Sequence, residues 1–404
     1  MPWRTTSAVE ERLRFVAAYL DGVGTMTELA AEYGISRETG YVWVRRYAAE
    51  GPAGLYDRSR RPHRVGNATA QAVIDALIEA RRRHPTWGPK KLLTYDWPLS
   101  ERPARSTASA ILKRAGLVDR RRRRRRPGHP GRPPAVVAAP NVLWTIDFKG
   151  QFRTGDRRWC YPLTLIDSCS RYVLACDALP STGTIGARAV LERVFREYGL
   201  PERIRSDNGV PFAAAWAAAR VSALSVWWVR LGIIPELIEP GRPAQNGRHE
   251  RFHRTLKRET TQPPAPNARA QQRRFDAFRE HFNVERPHEA LGQQPPSAIY
   301  TASSRPFPRR LPALSYAADS VVHRVDESGS VRWAPGTRVY VSRVLTGEDI
   351  AFRPTADGIW GVYFGPLLLG EYDERRGPAY SLAPLVTRGR SPADAGSRLP
   401  LKDQ

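Results

Sequence analysis

The sequence predicts an α/β protein in which a core of mixed strands and helices lies between a helical amino-terminal region and a β-rich carboxyl-terminal region. Capped, amphipathic segments fill the first 118 residues, strand-like and helical runs alternate from Val142, and short strand-like runs separated by glycine turns follow Pro312. A chain of 404 residues has room for several domains. We place their boundaries at 1–60, 61–118, 119–140, 141–305, 313–380 and 381–404.

The segment 1–60 has the pattern of a helix-turn-helix. A capping-box pattern opens its first helix, Gly34 supplies the turn after the second, and Ser36 caps the third. The third helix would present Arg37 and Arg45 to the major groove of DNA. An ordinary three-helix bundle is the alternative.

The segment 61–118 holds a second helical unit of the same kind. Its last helix is predicted to be capped near Ser106 and ended by Gly116. Lys90 and Lys91, in the run Trp-Gly-Pro-Lys-Lys-Leu, are candidate DNA-binding residues. Two modules in tandem read a longer site than one, which suits recognition of a defined DNA end.

The charge of the chain predicts a polyanionic partner. Its formal net charge is +24, and residues 51–135 alone hold 21 Lys and Arg against 6 Asp and Glu. So many uncompensated cations repel one another unless an anion is bound. Nucleic acid is the first candidate, although ribosomal RNA and acidic membrane surfaces fit the charge equally well. The motifs must decide among them.

An unbroken run of seven arginines opens the segment 119–140, which continues with Pro- and Gly-rich sequence. Like charges in succession repel and cannot be buried together, so the run predicts a flexible linker. Its continuity favours the tracking of DNA phosphates, because each neutralised phosphate releases counterions. The candidate phosphate-binding residues are Arg120, Arg121, Arg122, Arg123, Arg124, Arg125 and Arg126.

The core is predicted as three strands followed by helix, strand, helix, strand and helix. Three carboxylates stand out in it: Asp147 in the first strand, Asp207 directly after a short strand, and Glu250 in the helix that follows Gly247. The predicted strands are 142–148, 159–166, 172–179, 202–206 and 233–238, and the first helix is 185–198. Six short runs after Pro312 predict a small β-barrel.

This order of elements resembles the ribonuclease H-like fold. The run Pro-Gly-Arg-Pro-x-Gln-Asn-Gly-x-x-Glu-Arg-Phe-x-Arg-Thr-Leu-Lys at 240–257, with Asn-x-Glu-Arg-Pro-His-x-Ala-Leu at 283–291, resembles the integrase core of bacterial insertion-sequence transposases. Among these, the family numbered four hundred and eighty-one is the one it most resembles. The resemblance implies that Asp147, Asp207 and Glu250 converge as the catalytic, metal-binding residues of a DNA transposase.

The chemistry of such a site agrees with this interpretation. In-line attack on a phosphodiester is served by two divalent ions, and Mg²⁺, for which Mn²⁺ can substitute, prefers oxygen ligands. Three clustered carboxylates repel one another, a cost that bound cations offset. On the helix of Glu250, Arg254 and Lys257 share its face and are placed to hold the DNA phosphate, with solvated surface charge as the alternative.

Other residues carry weaker expectations. His249 and His253 are expected not to stand in a metal-ligand spacing, and the three cysteines are expected to be reduced and mostly buried. Between Asp207 and Glu250 lie 42 residues, and an Ala- and Trp-rich insertion at 213–228 is expected to extend a helix beside the site.

The sequence as a whole predicts a cytoplasmic, nucleoid-associated transposase. It would bind double-stranded DNA at the terminal inverted repeats of its element, as at least a dimer, and join the cleaved ends to target DNA. Two alternatives stay open: a domesticated DNA-binding repressor with an inactive core, and a ribonuclease H-like nuclease without strand transfer.

Overall fold

The computed structural model of the protein describes residues 7–59, 69–98, 102–118, 137–214, 217–239, 247–376 and 379–382. The chain divides into two compact units, residues 1–69 and residues 70–404, and each is considered by itself. The arginine run at 120–126 and residues 383–404 of the predicted tail lie outside the described residues.

The first unit is the predicted helix-turn-helix. Its helices are α1 (Ala8–Leu20), α2 (Met26–Glu32) and α3 (Arg37–Glu50). Ser36 caps α3, and Gly34 turns the chain before it with a φ of 63°. Gly40 lies inside α3, where a Cβ would stand 2.6 Å from the Met26 sulfur, so the close packing of α2 on α3 requires glycine there.

The second unit begins with three more helices, α4 (Gln71–Arg83), α5 (Pro89–Asp96) and α6 (Arg105–Arg114). They enclose a core that includes Trp87 and Leu112. We call residues 70–118 the second helical module. The expected cap at Ser106 is wrong, because α6 already begins at Arg105 and no side chain caps it. Gly116 ends the helix as predicted, with a φ of 71°.

A mixed sheet forms the centre of the second unit. Its strand order is β2-β3-β1-β5-β6, and β4 pairs with β3. The β1–β3 and β3–β4 pairs are antiparallel, whereas β1–β5 and β5–β6 are parallel. The strands are β1 (Leu143–Phe148), β2 (Phe152–Arg153), β3 (Trp159–Asp167), β4 (Val173–Leu179), β5 (Arg203–Ser206) and β6 (Ile234–Leu237).

Helices cover both faces of this sheet. On one face, Trp144 and Ile146 of β1 pack with α7 (Thr184–Tyr198) and α8 (Ala223–Arg230). On the other, α9 (Gly247–Thr260) and α10 (Ala268–Val284) pack on β3 and β4 through a row of phenylalanines. Because side chains alternate along a strand, Thr145 and Asp147 point to the α9 face.

The insertion before Glu250 has a structural use. Its helix is α8, whose Trp227 and Trp228 lie in the core of the central sheet, while Val226 and Val229 pack into the core of the carboxyl-terminal strands. The segment therefore joins two hydrophobic cores.

The carboxyl-terminal strands form two small sheets around one shared core. The sheets have the orders β12-β11-β10-β7 and β13-β9-β8. All six predicted strands are present, and the described residues add a seventh, β13. The strands are β7 (Val321–Arg324), β8 (Ser330–Ala334), β9 (Thr337–Tyr340), β10 (Asp349–Ala356), β11 (Ile359–Phe364), β12 (Leu367–Asp373) and β13 (Ala379–Ser381).

The cysteines are free thiols, as expected. Cys160 and Cys176 are buried and Cys169 is half-buried. Burial raises the pKa of the Cys160 thiol to about 11, which keeps it protonated. Within the described ranges, no helix is both long enough and apolar enough to cross a membrane.

Candidate catalytic and nucleic-acid-binding site

The two aspartates lie at the same level of neighbouring parallel strands. Thr145 of β1 is in register with Arg205 of β5. Asp147 and Asp207 each follow two residues later, so the same register brings their carboxylates to one face of the sheet, where both strands end. Asp207 accepts a hydrogen bond from the Gly209 amide at 3.1 Å. A Cβ at Gly209 would lie 3.2 Å from the other Asp207 oxygen, so glycine keeps that oxygen accessible.

Helix α9 lies over the same face. Nδ1 of His249 is 3.0 Å from the Thr145 hydroxyl, and Nδ1 of His253 is 3.8 Å from an Asp147 carboxylate oxygen. The helix therefore runs along β1, with its first turn over Thr145 and its second over Asp147. Glu250 is exposed in that first turn.

The side of α9 that carries Glu250 is also the side that meets Asp147. The amine of Lys149, two residues beyond Asp147, interacts electrostatically with both Asp147 and Lys257. Lys257 is seven residues after Glu250 and shares its side of the helix. The exposed Arg254 lies on this side too. The structure thus places the two aspartates at the ends of neighbouring strands and lays the helix of Glu250 over β1.

Lys149 is a site residue that the sequence did not reveal. It is half-buried, and its pKa is lowered by burial and by Lys257, against the opposing effect of Asp147. The Lys149 amine, directly after β1, is thus near both Asp147 and the Lys257 amine of α9. Only the pairing of these elements brings them together.

The expectation that the two histidines lack a ligand spacing is wrong. His249 and His253 are four residues apart in His-Glu-x-x-His, which places both on one face of α9. With Asp147, they offer potential ligand atoms that all lie within 4.8 Å of one another. The four-residue spacing was the available sequence signal.

These histidines are bound to a hydroxyl of the sheet. Oγ1 of Thr164 lies 2.6 Å from Nε2 of His249, 2.8 Å from Nε2 of His253 and 3.0 Å from the Asp147 carbonyl oxygen. A hydroxyl has one proton, which must go to the carbonyl, so both Nε2 atoms donate to Thr164. Nδ1 of His253 then keeps its lone pair facing the Asp147 carboxylate.

Both histidines are neutral in the folded protein. Burial lowers the pKa of His249 to about 3 and that of His253 to about 2, the latter with help from His249 and Lys149. In a metalloprotease a zinc ion lies between the two histidines of this motif, and here the Thr164 hydroxyl lies there. Because Thr164 also donates to the Asp147 carbonyl, the two histidines hold α9 on the strand of Asp147.

Lys90 and Lys91 lie where the second helical module packs on the core. Nζ of Lys90 is 2.6 Å from an oxygen of Glu289. Lys91 is half-buried, and burial, followed by the charge of Arg286, lowers its pKa to about 8. In the structure, Lys90 thus has a protein partner, and Lys91 is partly withdrawn from solvent.

The module is held on the core by stacked rings and a shared carboxylate. Trp87 stacks on His84, at 4.0 Å, and on His281 of α10, at 5.4 Å between ring centroids, and the two histidine rings also stack on each other at 5.5 Å. Glu259 of α9 accepts hydrogen bonds from the Thr86 hydroxyl and, at 2.8 Å, from Arg286.

This packing leaves the last helix of the module accessible. The exposed residues of α6 include Arg105, Ser106, Ser109 and Lys113. In the first unit, Arg37 and Arg45 are exposed on α3, as a DNA-reading role requires. The side chains of Arg120 to Arg126 lie outside the part of the chain that the structure describes.

Known domain families match the chain along most of its length. Residues 11–63 match a helix-turn-helix domain and residues 39–112 a homeodomain-like domain. Two integrase core domain families match residues 137–243 and 231–296. The second of these matches contains Glu250, and the first contains Asp147 and Asp207.

Similar proteins come from insertion elements. The IS476 uncharacterized 39.2 kDa protein of Xanthomonas euvesicatoria is 30% identical over 251 residues, 61% of this chain and 69% of the relative. The IS407 uncharacterized 31.7 kDa protein of Burkholderia multivorans is 33% identical over 193 residues, 46% of this chain and 65% of the relative. The chain thus spans about two thirds of the length of these relatives.

A solved structure is similar over a long stretch. It is a chain of a simian T-cell lymphotropic virus intasome in complex with a PP2A regulatory subunit. The two share 16% sequence identity with a TM-score of 0.37, over 72% of this chain and 97% of the other.

Proposed function

We propose that this chain cleaves the ends of its element and joins them to target DNA. The chain belongs to the family of insertion-element transposases with helix-turn-helix domains and an integrase core. Cleavage would be hydrolysis that exposes a 3′ hydroxyl, and joining would be attack of that hydroxyl on a target phosphodiester. Both steps are phosphoryl transfers, which need neither an external nucleotide nor a covalent protein intermediate.

One observation supports this proposal most strongly. Asp147 and Asp207 lie at the ends of neighbouring parallel strands, and the helix of Glu250 lies over β1. Parallel pairing of β1 with β5 places the two aspartates at one level, and the hydrogen bonds of His249 and His253 to Thr164 hold α9 over β1. Carboxylates on one face repel one another, and bound cations would offset that repulsion.

The residues fit divalent cations. Asp147, Asp207 and Glu250 would supply the oxygen ligands that Mg²⁺ prefers, and Gly209 leaves one Asp207 oxygen accessible. A pair of Mg²⁺ ions, or Mn²⁺ in their place, would supply Lewis acidity to the attacking and leaving oxygens. Thr164 and the two histidines would fix the helix that carries Glu250 relative to Asp147.

The amines beside the carboxylates would bind the substrate. Lys149, which lies near both Asp147 and Lys257, and Lys257 itself would hold phosphate oxygens near the scissile bond, with Arg254 one turn before Lys257 on the same helix. Their charge would offset that of the DNA backbone as it approaches the acidic group.

The partner would be double-stranded DNA. The exposed faces of α3 and α6 would read the terminal inverted repeats, and the arginine run at 120–126 would track phosphates. Synapsis of two ends would need at least a dimer, working at the bacterial nucleoid where its DNA lies. We extend the proposal to the insertion-sequence family numbered four hundred and eighty-one on the motif at 240–257.

Two assays with the full chain test the proposal against its alternatives. Duplexes from the DNA that flanks the coding region would be incubated with the chain and Mg²⁺, with and without a supercoiled target plasmid. We expect nicks that leave a 3′ hydroxyl, followed by joined products. Cleavage without joining would indicate a nuclease, and binding without cleavage would indicate a repressor.

A further inference from the structure

Three arginines converge at the turn between β3 and β4, away from the carboxylates. Arg171 lies in this turn, and Arg248 and Arg251 come from the start of α9. The Arg171 guanidinium donates to the Ser168 carbonyl oxygen, and Nη1 of Arg248 lies 3.4 Å from the same oxygen. Two guanidiniums thus approach one neutral acceptor.

Among the residues that the structure describes, no carboxylate forms an ion pair with any of these arginines. The acid that interacts with Arg171 is Asp167, which is buried. Its Oδ1 accepts from the amide and hydroxyl of Ser170 at 2.7 and 2.6 Å, and its Oδ2 from the Asn141 amide at 2.8 Å. Its oxygens are therefore engaged by other donors.

Burial and mutual repulsion make the charged forms of the Arg171 and Arg248 guanidinium groups less favourable. Burial, and then the charge of Arg248, lowers the pKa of Arg171 to about 10. The backbone of Arg171 is also left-handed, with a φ of 67°, a conformation uncommon for residues other than glycine. The fold thus places an arginine at a strained position among like charges, and the charge of the buried Asp167 only partly offsets their repulsion.

Arg248 and Glu250 lie on opposite sides of α9. With about 100° per residue, Arg248 lies roughly 160° round α9 from Glu250. Glu259, which holds the second helical module, lies only about 20° from Arg248 by the same count. Arg248 therefore lies on the side of α9 that bears the docked module, whereas the exposed Arg251 lies about 100° from Glu250.

We propose that Arg171, Arg248 and Arg251 form a second phosphate-binding site, which holds a DNA phosphodiester outside the metal centre. The inference rests on the proposed function, since the ligand is a phosphate of the same DNA that is cut. The forked donors of guanidinium match phosphate oxygens in pairs, and a bound phosphate supplies the anion that the cluster lacks. DNA would then be held on both sides of α9.

The test measures metal-free binding of the full chain to a random-sequence duplex over a range of salt concentrations. Arg171→Gln, Arg248→Gln and Arg251→Gln should each flatten the slope of log affinity against log salt by up to about 0.9, the value for one lost phosphate contact. Arg171→Lys should keep most of the slope. Arg193→Gln is the matched control, because it removes the same charge from an arginine paired with Asp177.

Inorganic phosphate provides an independent measurement. It should raise the melting temperature of the wild-type chain, and Arg171→Gln should lose that rise. An unchanged slope in a normally folded Arg171→Gln chain would overturn the proposal, and so would an equal loss in Arg193→Gln. Stabilisation by phosphate with an unchanged DNA slope would also overturn it, since the site would then hold free phosphate only.

The site and the proposed function fail separately. If the arginine variants flatten the slope while the wild-type chain cuts no DNA, the phosphate site stands and the transposase proposal falls. If the wild-type chain cuts and joins DNA while the variants bind with the wild-type slope, the reverse holds.

Discussion

Glu259 accepts a hydrogen bond from Thr86, although 173 positions separate these residues in the chain. Glu259 belongs to the last turn of α9, and Glu250 belongs to its first. The helix that brings a proposed catalytic carboxylate over Asp147 thus holds the second helical module by its other end. A displacement of the module would act directly on the helix of Glu250.

The carboxylates give the first prediction. Asp147→Asn, Asp207→Asn and Glu250→Gln should each abolish Mg²⁺-dependent cleavage, because each removes a proposed cation ligand. Binding to element-end DNA should change little, since the proposed reading helices α3 and α6 lie elsewhere in the chain. Gel-shift and cleavage assays on one duplex would compare them, with Glu280→Gln, an exposed acid of α10, as the control. A variant that cuts normally would remove its residue from the site.

The second prediction concerns Thr164. Thr164→Val leaves two buried imidazole N–H groups without an acceptor, and each such group costs about 1–3 kcal/mol. The free energy of unfolding should fall accordingly in urea titrations, and cleavage should fall with it. Thr255→Val removes a hydroxyl of α9 that donates to the Arg251 carbonyl, at 3.3 Å, and should be nearly neutral. Equal stability of the two variants would contradict the role of Thr164.

The third prediction concerns the carboxylate that holds the module. Arg286 is buried, so Glu259→Ala would leave it unpaired, at a cost of about 3–5 kcal/mol. Glu192→Ala, which breaks a more exposed pair with Arg196, should cost less than about 1 kcal/mol. Glu259→Gln should retain DNA binding yet lower the rate of cleavage, because the module is loosened and α9 with it. Cleavage at the wild-type rate would show that docking is unimportant for the reaction.

Lys91 gives a prediction about pH. Its folded-state pKa of about 8 is below the ordinary lysine value of 10.5, mainly because of burial and then because of Arg286, with Glu259 and Glu289 opposing. The unfolded chain therefore binds more protons between these two values, and the contribution of Lys91 to stability rises with pH across this window. Lys91→Met should raise the melting temperature near pH 7, and the gain should shrink toward pH 10.5. If Lys91→Met flattens the salt dependence of DNA binding but leaves the melting temperature unchanged, Lys91 is a DNA contact instead.

The arginine run remains open to direct test. Replacing residues 120–126 with Ser and Gly should weaken binding to specific and random duplexes alike, and flatten the salt dependence. The preference for element ends should persist, because α3 and α6 are unchanged. An unchanged slope would leave the run as a solvated spacer.

Local patterns were enough to predict elements whose form depends on near neighbours. The strand at 359–364 has the predicted bounds, and the strand with Asp147 differs from its prediction by one residue. The start of α6 was misplaced, because Ser106 looks like a cap whereas the helix begins uncapped at Arg105. Capping residues indicate where a helix can begin, and tertiary packing decides where it does.

Contacts between distant elements could not be predicted in this way. Thr164 meets two histidines only because β3, β1 and α9 are stacked, and nothing around Thr164 in the sequence marks it. Lys90 was assigned to DNA from its charge alone, while its partner Glu289 is 199 positions away. Such pairs depend on the register and order of strands, which a single sequence specifies only through the complete fold.

The docked module has a consequence for engineering. Replacing residues 70–118 with a foreign DNA-reading domain would remove Thr86, Trp87 and Lys90. Glu259 and Glu289 of the core would then lose the hydrogen bonds that they accept from Thr86 and Lys90. A viable hybrid would carry the donor's own partners for these positions, so the exchangeable cassette is discontinuous and includes the end of α9. The first unit, residues 1–69, forms a separate compact body and offers a simpler place to introduce a new specificity.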